Sequence, residues 1–284
     1  MVLFTLDGGT ELVEPSMVVA LDGWVDAGSA ATNAANAIAE GARIVATFDA
    51  DAIFDYRARR PTLDIVDGRP ESLEWPELTV RAARIAERDV LILTGAEPDY
   101  RWHELSADVV DLAGRLGVAE WISLGAIPAA VPHTRPVPIL GTASEPGLLR
   151  AGVQPGPQGT LTVPSAALSV FDIAITKAGI PAVGYFAQIP HYISGPYPAA
   201  SIELLRVLGR HLGLELDSGR LPGEARLMKV RLDAAAAREE TTKTYVERLE
   251  AMVDEARLPS GDDLITEIER FLREGGSQGG TRPN

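Results

Sequence analysis

The stretch of sequence that decides the fold is MVVALDGWVDAGSAATNAANAIAE, residues 17–40. It begins with five consecutive apolar residues, a run that is typical of a strand buried on both faces. A loop rich in Asp and Gly follows, and the alanine-rich residues 27–40 then predict a helix. A buried strand, a turn and a helix form the first part of a βαβ unit, which joins parallel strands.

Outward from this unit, short apolar runs alternate with helical patterns. Residues 102–116 give the clearest helix, because apolar side chains recur there with a period of 3.6. Residues 78–85 and 89–94 predict an antiparallel pair, and residues 49–76 predict short strands and loops. Further strands are predicted at residues 43–48, 120–126, 137–140 and 182–189, and further helices at residues 165–178 and 199–212. This alternation predicts an α/β fold, a three-layer, mainly parallel sheet with helices on both faces.

The C-terminal part of the chain has a different character. Residues 224–256 show no strand signal and predict an amphipathic helix, and a capping box at residues 260–263 predicts a last helix. We expect this extension to pack against the core or a neighbouring subunit, through Tyr245, Leu249 and Phe271. The predicted division is therefore an α/β domain over residues 1–222, a helical extension over residues 223–274 and a disordered Gly/Ser/Gln-rich tail over residues 275–284.

Composition excludes several classes of protein. The 284 residues include 26 basic and 40 acidic side chains, which gives a net charge of −14, and no cysteine. Nucleic-acid-binding proteins normally carry a basic face, so no nucleic-acid partner is expected. Absence of cysteine excludes disulfides, thiolate metal sites and cysteine nucleophiles. No apolar stretch is long enough to cross a bilayer, and no basic signal segment opens the sequence, so we expect a cytoplasmic protein without a membrane partner.

The common catalytic and cofactor motifs are also missing. The sequence lacks G-x-G-x-x-G after a strand, G-x-x-x-x-G-K-[ST], H-E-x-x-H and G-x-S-x-G. His103 and Glu104 begin like a zinc motif, but Ala107 occupies the position of the second histidine. We therefore expect no resident cofactor and no metal site.

The first candidate site is the loop over residues 22–28, which follows the first strand. Ligands of open parallel sheets bind where loops leave the carboxyl ends of the strands. Asp22 and Asp26 are potential acids, bases or metal ligands beside Trp24, and the helix that follows offers its N-terminus to an anion. The structural alternative is that Asp26 only caps this helix while the glycines turn the chain.

Two further loops each hold a histidine beside prolines. PHTRP at residues 132–136 carries His133 and Arg135, and PHYISGP at residues 190–196 carries His191. A histidine can move a proton, and an arginine can bind phosphate or carboxylate with two parallel hydrogen bonds. The alternative is that these side chains bond backbone carbonyls, or a neighbouring subunit, in irregular loops. The candidate pocket residues are thus Asp22, Trp24, Asp26, His133, Arg135 and His191.

A mixed-charge cluster at residues 55–60 is a candidate interaction surface. Tyr and Arg are the residues that most often anchor protein–protein contacts. Ion pairs that neutralise one another on a surface loop would explain the same cluster without any function. The candidate interaction residues are Asp55, Tyr56, Arg57, Arg59 and Arg60.

These loops carry a resemblance to a known family. The motifs recur in a fixed order: DGWVDAG at residues 22–28, FD at 48–49, DYR and RRP at 55–61, EPD with Trp102, PHTRP at 132–136 and PHY at 190–192. The sequence resembles the proteasome assembly chaperone 2 family over residues 10–215, in its longer actinobacterial form.

The resemblance implies a fold like that of the purine nucleoside phosphorylases, without an established activity of that kind. It also implies a homo-oligomer, with a trimer favoured, and proteasome subunits as partners. Some archaeal relatives dock on the proteasome through a tail of a hydrophobic residue, Tyr and any residue. This sequence ends in Thr-Arg-Pro-Asn, so any proteasome contact is expected to use another surface.

Two hypotheses follow from these residues. The first is a non-enzymatic, homo-oligomeric interaction protein that assists or binds the proteasome. The second is a phosphorylase- or hydrolase-like enzyme for a small nucleoside-like molecule, with His133 or His191 as acid or base and Arg135 on an anion. We favour the first, because the sequence shows no complete set of nucleophile, base and orienting group, and a fold alone does not define a function.

Overall fold

A computed structural model describes residues 2–7, 12–157 and 159–256. The described residues divide into two compact units, one that ends at Ala234 and one that begins at Ala235. Within the described part of the chain, no helix is long and apolar enough to cross a membrane. The same residues contain no group of three or more potential metal ligands.

The strands of the structure are β1 (Phe4–Leu6), β2 (Ser16–Asp22), β3 (Arg43–Phe48), β4 (Thr62–Val66), β5 (Arg69–Glu74), β6 (Leu78–Ile85), β7 (Arg88–Ala96), β8 (Glu120–Ala129), β9 (Ile139–Ala143) and β10 (Ala182–Pro190). The helices are α1 (Ala30–Ala39), α2 (Ala50–Ile53), α3 (Trp102–Arg115), α4 (Ala167–Lys177), α5 (Pro198–Leu212), α6 (Leu221–Arg238) and α7 (Glu240–Ala256).

Eight strands form one mixed sheet in the order β1-β3-β6-β7-β2-β8-β10-β9. The four central strands, β7, β2, β8 and β10, are parallel, which confirms the predicted βα units. Pairing is antiparallel from β7 outward to β1 and between β10 and β9. The sheet is thus parallel from β7 to β10 and antiparallel toward both edges, and a short hairpin connection joins β6 to β7.

Helices cover both faces of the sheet, and strand β2 shows how one sequence serves both cores. Side chains alternate between the faces of a strand, so Met17 and Val19 pack into one apolar core while Val18 and Ala20 pack into the other. Helices α3 and α4 contribute to the first core, and α1 and α5 to the second. The predicted α/β fold with three layers is confirmed.

The alanines of α1 explain how two helices share one face of the sheet. Ala30, Ala31, Ala34 and Ala35 are fully buried, and α1 packs against both α5 and β2. Small side chains let the helix backbone approach its neighbours closely. The apolar stripe predicted for residues 102–116 is likewise the buried face of α3.

Several elements differ from the sequence prediction. Strand β1 was not predicted, and β9 begins at Ile139 rather than at residue 137, because Pro138 has no amide proton for a strand ladder. Strands β4 and β5 form a separate two-stranded hairpin. The extension begins with two helices, α6 and α7. The predicted last helix, the tail and Phe271 lie outside the described residues, and the division at residues 222/223 stays a prediction.

Candidate functional site

The central strands bring the predicted loops to one edge of the sheet. Because β7, β2, β8 and β10 are parallel, their carboxyl ends at Ala96, Asp22, Ala129 and Pro190 lie at the same edge. This is the edge at which open α/β sheets bind ligands. Two groups of polar side chains occupy it, one around Asp22 and one around His133.

Asp26 serves the backbone of the first helix. Its carboxylate accepts hydrogen bonds from the amides of Ala31 at 2.7 Å and Thr32 at 3.3 Å, and from the Thr32 hydroxyl. These amides would otherwise be unpaired at the start of α1. Burial raises the pKa of the Asp26 carboxyl, although the hydrogen bonds oppose that shift. The geometry matches the capping alternative.

Trp24 is exposed, and its backbone is held by a residue that the sequence analysis did not select. Glu97 accepts the Trp24 amide at 2.9 Å on Oε2 and the Ala167 amide at 2.7 Å on Oε1. One carboxylate thus joins the loop after β2 to the start of α4. The sequence signal for Glu97 was its place directly after β7, in the EPD motif.

Asp22 contacts Arg59, and this contact links the candidate pocket to the candidate interaction surface at residues 55–60, here called the interaction loop. Nη1 of Arg59 lies 3.4 Å from Oδ2 of Asp22, and Nη2 donates to the backbone oxygen of Glu97 at 3.4 Å. Both residues line a cleft of about 500 Å³ at the ends of β2 and β7. No sequence pattern predicted this contact, because the two residues are 37 positions apart.

Hydrogen bonds within the interaction loop and to Asp51 and Tyr100 hold the rest of this loop in place. Asp55 accepts the Arg57 amide and the Tyr100 hydroxyl, each at 2.9 Å, and these bonds lower the pKa of the Asp55 carboxyl. The Tyr56 hydroxyl donates to Asp51 at 2.6 Å, and this bond raises the pKa of Tyr56 to about 12. The loop is therefore a defined surface, with Arg57 and Arg60 exposed on it.

Tyr56 also contacts the start of the next segment. Its ring packs edge-on against Trp75, with ring centroids 4.8 Å apart. Trp75 directly follows β5, so the aromatic pair ties the β4–β5 hairpin to the interaction loop. Sequence analysis did not select Trp75, because a single aromatic residue between Glu74 and Pro76 shows no periodicity that would place it.

His133 is the centre of the second group. Its backbone amide donates to the Tyr192 hydroxyl at 2.8 Å, and its Nδ1 lies 2.8 Å from the same oxygen. Its Nε2 lies 3.3 Å from Oδ1 of Asp233, a residue of α6. Lys229 also bonds Asp233, and this contact, followed by that of His133, lowers the pKa of the carboxyl. Tyrosine, histidine and carboxylate thus form a chain along which a proton can be held.

The two predicted histidines meet through Tyr192. The rings of His133 and His191 each pack edge-on against it, with centroids 5.8 Å and 5.7 Å away. Nδ1 of His191 lies 3.1 Å from the backbone oxygen of Ala129, as the structural alternative predicted. Arg135 lies in the turn that contains His133 and is half-buried.

A small cavity of about 200 Å³ adjoins His133. Tyr197, Lys229 and Leu232 also line it, and burial raises the pKa of Tyr197 to about 12. Two residues of this group were not among the sequence candidates. Tyr192 could have been found from the sequence, because it directly follows His191 in the PHYISGP loop. No sequence pattern pointed to Asp233, because it lies on a helix 100 residues from its histidine partner. Thus Asp22 and Arg59 share one cleft, whereas His133 lines another.

The fold and the site define an α/β protein. Its mixed sheet carries helices on both faces and two polar groups at its carboxyl edge. Comparison with known families is more specific. The model of the PAC2 family matches residues 20–236, so the chain belongs to the PAC2 family. Among curated protein sequences, none matches the chain significantly.

Solved structures agree with this assignment. A protein of unknown function from Corynebacterium glutamicum is 30% identical, with a TM-score of 0.82 over 89% of this chain and 97% of that chain. A proteasome-assembly chaperone homologue from Mycobacterium tuberculosis is 34% identical, with a TM-score of 0.73 over 81% of this chain and 99% of that chain. An archaeal proteasome activator from Pyrococcus furiosus is 17% identical, with a TM-score of 0.64 over 83% of this chain and 99% of that one, and shares the fold.

Proposed function

We propose that this protein is a non-enzymatic, chaperone-like interaction protein of the cytoplasm, which forms a homotrimer and binds proteasome subunits. Its contact surface is the interaction loop, residues 55–60, together with the β4–β5 hairpin. Family membership supports the chaperone-like role. The relative from Mycobacterium tuberculosis, which is described as a proteasome-assembly chaperone homologue, supports the choice of partner.

The observation that carries the proposal is the exposed hairpin. Every residue of β4 and β5 is exposed, although Leu63 pairs directly with Leu73. Directly opposed residues of an antiparallel pair lie on one face, and Ile65 shares that face because it is two residues from Leu63. These side chains are 45% (Leu63), 60% (Ile65) and 52% (Leu73) exposed.

An apolar hairpin face of this kind is typical of a binding surface. A two-stranded hairpin is only marginally stable alone in water, and contiguous exposed apolar side chains often mark interaction sites. In the part of the chain that the structure describes, no further strand pairs with either outer edge of the hairpin, so both edges can pair with another chain. Tyr56, Arg57 and Arg60 beside it supply residue types that anchor interfaces.

The test is affinity capture from native lysate with cross-linking and mass spectrometry. We expect the natural chain to recover proteasome α or β subunits near stoichiometry, with cross-links at residues 55–75. The double variant Leu63→Ser/Ile65→Ser removes apolar contact area without opening a core, so recovery should fall at least about tenfold. A native mass measurement should show trimers.

The matched control is Leu161→Ser/Val163→Ser. These two residues have the same spacing and are 61% and 62% exposed, but they lie outside the hairpin. The control should recover proteasome subunits as the natural chain does. Recovery of no proteasome subunit by the natural chain, or undiminished recovery by the hairpin variant, would contradict the proposal.

A second candidate function is a phosphorylase- or hydrolase-like enzyme acting on a small nucleoside-like molecule. The hydrogen-bonded chain of Tyr192, His133 and Asp233 beside a cavity favours it, because such a chain can move a proton. Nucleoside turnover that His133→Ala abolishes, with the oligomer mass unchanged, would favour this candidate over the first.

A further inference from the structure

The cleft beside Asp22 contains an arginine whose hydrogen-bonding capacity is not used. Nε of Arg59 is buried and has no hydrogen-bond partner within the described ranges of the chain. Among the residues that the structure describes, the two other guanidinium nitrogens contact only Asp22 and the Glu97 backbone, each at 3.4 Å. A buried donor without an acceptor costs free energy, so this nitrogen is expected to meet an acceptor that the described residues do not supply.

Two more arginines line the same cleft. Arg81 is bound to Glu77 at 3.3 Å, and Arg60 makes no ion pair with any residue in the described ranges. The pairs of Arg59 and Arg81 involve half-exposed or exposed carboxylates, and such pairs contribute little free energy. The carboxylates of Asp22, Glu74 and Glu77 line the cleft beside the three arginines. Because exposed ion pairs are weak, the three guanidinium groups can turn from these carboxylates toward a ligand oxyanion.

Two asparagines also line the same cleft. Asn33 and Asn36 lie one turn apart on α1 and line the cleft. Neither side-chain amide is hydrogen-bonded to a residue in the part of the chain that the structure describes. Each amide offers donors and an acceptor, which is the pattern that recognises hydroxyl groups. The cleft, at about 500 Å³, has the volume of an ordinary small-molecule site.

We propose that this cleft binds a small, hydroxyl-rich molecule that carries a phosphate group, of the sugar phosphate class. The arginines hold the phosphate, because a guanidinium group donates parallel hydrogen bonds that match phosphate oxygens. Asn33 and Asn36 bind the hydroxyl groups. This inference does not rest on the proposed function, since the purified chain needs no protein partner to bind such a ligand.

The experiment is titration calorimetry on the purified full chain with glucose 6-phosphate, inorganic phosphate and glucose. We expect saturable binding of glucose 6-phosphate, weaker binding of inorganic phosphate and no binding of glucose. Arg59→Lys keeps the charge but removes the fork of donors, so affinity for glucose 6-phosphate should fall at least about tenfold. Arg115→Lys, at an arginine paired with Asp111 on α3, should leave the affinity unchanged.

A second variant separates the two halves of the ligand. Asn33→Ala should weaken glucose 6-phosphate binding while leaving the binding of inorganic phosphate unchanged. Failure of both phosphate ligands to bind saturably would overturn the proposal, as would glucose binding as tightly as glucose 6-phosphate. Equal affinity for inorganic phosphate and glucose 6-phosphate would overturn the assignment of the asparagines. An Arg59→Lys variant that melts like the natural chain and binds as tightly would overturn the assignment of the arginine.

Discussion

Asp172 on α4 shows how burial changes the chemistry of a single side chain. Its Oδ1 accepts hydrogen bonds from the Trp121 indole at 2.8 Å and from the Ser123 hydroxyl. Burial nevertheless dominates and raises the pKa of the carboxyl to about 6. The same residue lines a cavity of about 300 Å³ beside β9 and β10, so it keeps some contact with solvent.

The raised pKa predicts a pH-dependent stability. The folded pKa of about 6 lies above the ordinary value of 3.8. The protonated carboxyl therefore makes its full contribution to the free energy of unfolding below pH 3.8. This contribution is lost as the pH rises through about 6. Asp172→Asn keeps an acceptor for Trp121 and Ser123 without the charge, so it should be more stable than the natural chain at pH 8, by about 1–2 kcal/mol.

Urea unfolding at about pH 5 and pH 8 measures this difference. The gap between Asp172→Asn and the natural chain should be larger at the higher pH. Asp111→Asn, at a surface ion pair on α3, serves as the control and should show no such trend. A gap that is the same at both values would disprove the assigned pKa.

At the scale of elements, a polar network ties the central strands to α5. Glu120 at the start of β8 accepts the Ser16 hydroxyl of β2 at 2.7 Å and lies 3.2 Å from Nε2 of His211. Nδ1 of that buried histidine lies 2.7 Å from the hydroxyl of Tyr185 on β10. Strands β8 and β10 and helix α5 thus meet at a single imidazole, and β2 joins them through Glu120.

This network predicts the acid sensitivity of the fold. The bond to His211 lowers the pKa of Glu120 from 4.5 to about 2. The ionised carboxylate therefore stabilises the fold above pH 4.5, and this contribution is lost as the pH falls through about 2. Glu120→Gln should lower the free energy of unfolding at pH 7 by roughly 2–3 kcal/mol.

Chemical denaturation across the acid range tests this prediction. The difference between Glu120→Gln and the natural chain should shrink steadily below about pH 4.5. Glu203→Gln, which loses a helix-surface pair with Arg206, should cost less than about 0.5 kcal/mol. A Glu120→Gln variant as stable as the natural chain at pH 7 would show that the network contributes nothing.

At the scale of the whole molecule, the end of the α/β unit can be located by truncation. The sequence predicts a boundary at residues 222/223, whereas the first compact unit extends to Ala234. Met228 and Leu232 of α6 pack against the core of that unit, and Asp233 contacts His133. A chain that ends at Gly223 loses all three contacts, and one that ends at Ala234 keeps them.

The shorter chain should therefore unfold at lower urea concentration than the longer one. Two partly buried apolar side chains correspond to about 1–3 kcal/mol of lost burial. Circular dichroism melts and the oligomer mass of both chains provide the measurement. Equal stability of the two chains would place the boundary at 222/223, as the sequence predicts.

Local sequence patterns are sufficient to predict several elements of the fold. The run Met17–Leu21 is buried on both faces because it is apolar at every position, and the stripe of α3 is buried because its period is helical. Both follow from neighbouring residues alone. The hairpin apolar face was missed, because residues 49–76 are polar on average and only the pairing of Leu63 with Leu73 reveals it.

The sequence by itself determined the alternation of strands and helices, the loops that leave the sheet and the charge of the molecule. Only the tertiary structure decided that Asp22 contacts Arg59 and that His133 contacts Asp233. It also decided that the Asp26 carboxylate caps α1. The physical reason is the separation along the sequence over which each interaction acts. Hydrophobic periodicity is set over a few residues, whereas a hydrogen bond between side chains 37 or 100 positions apart exists only after the sheet has brought their elements together.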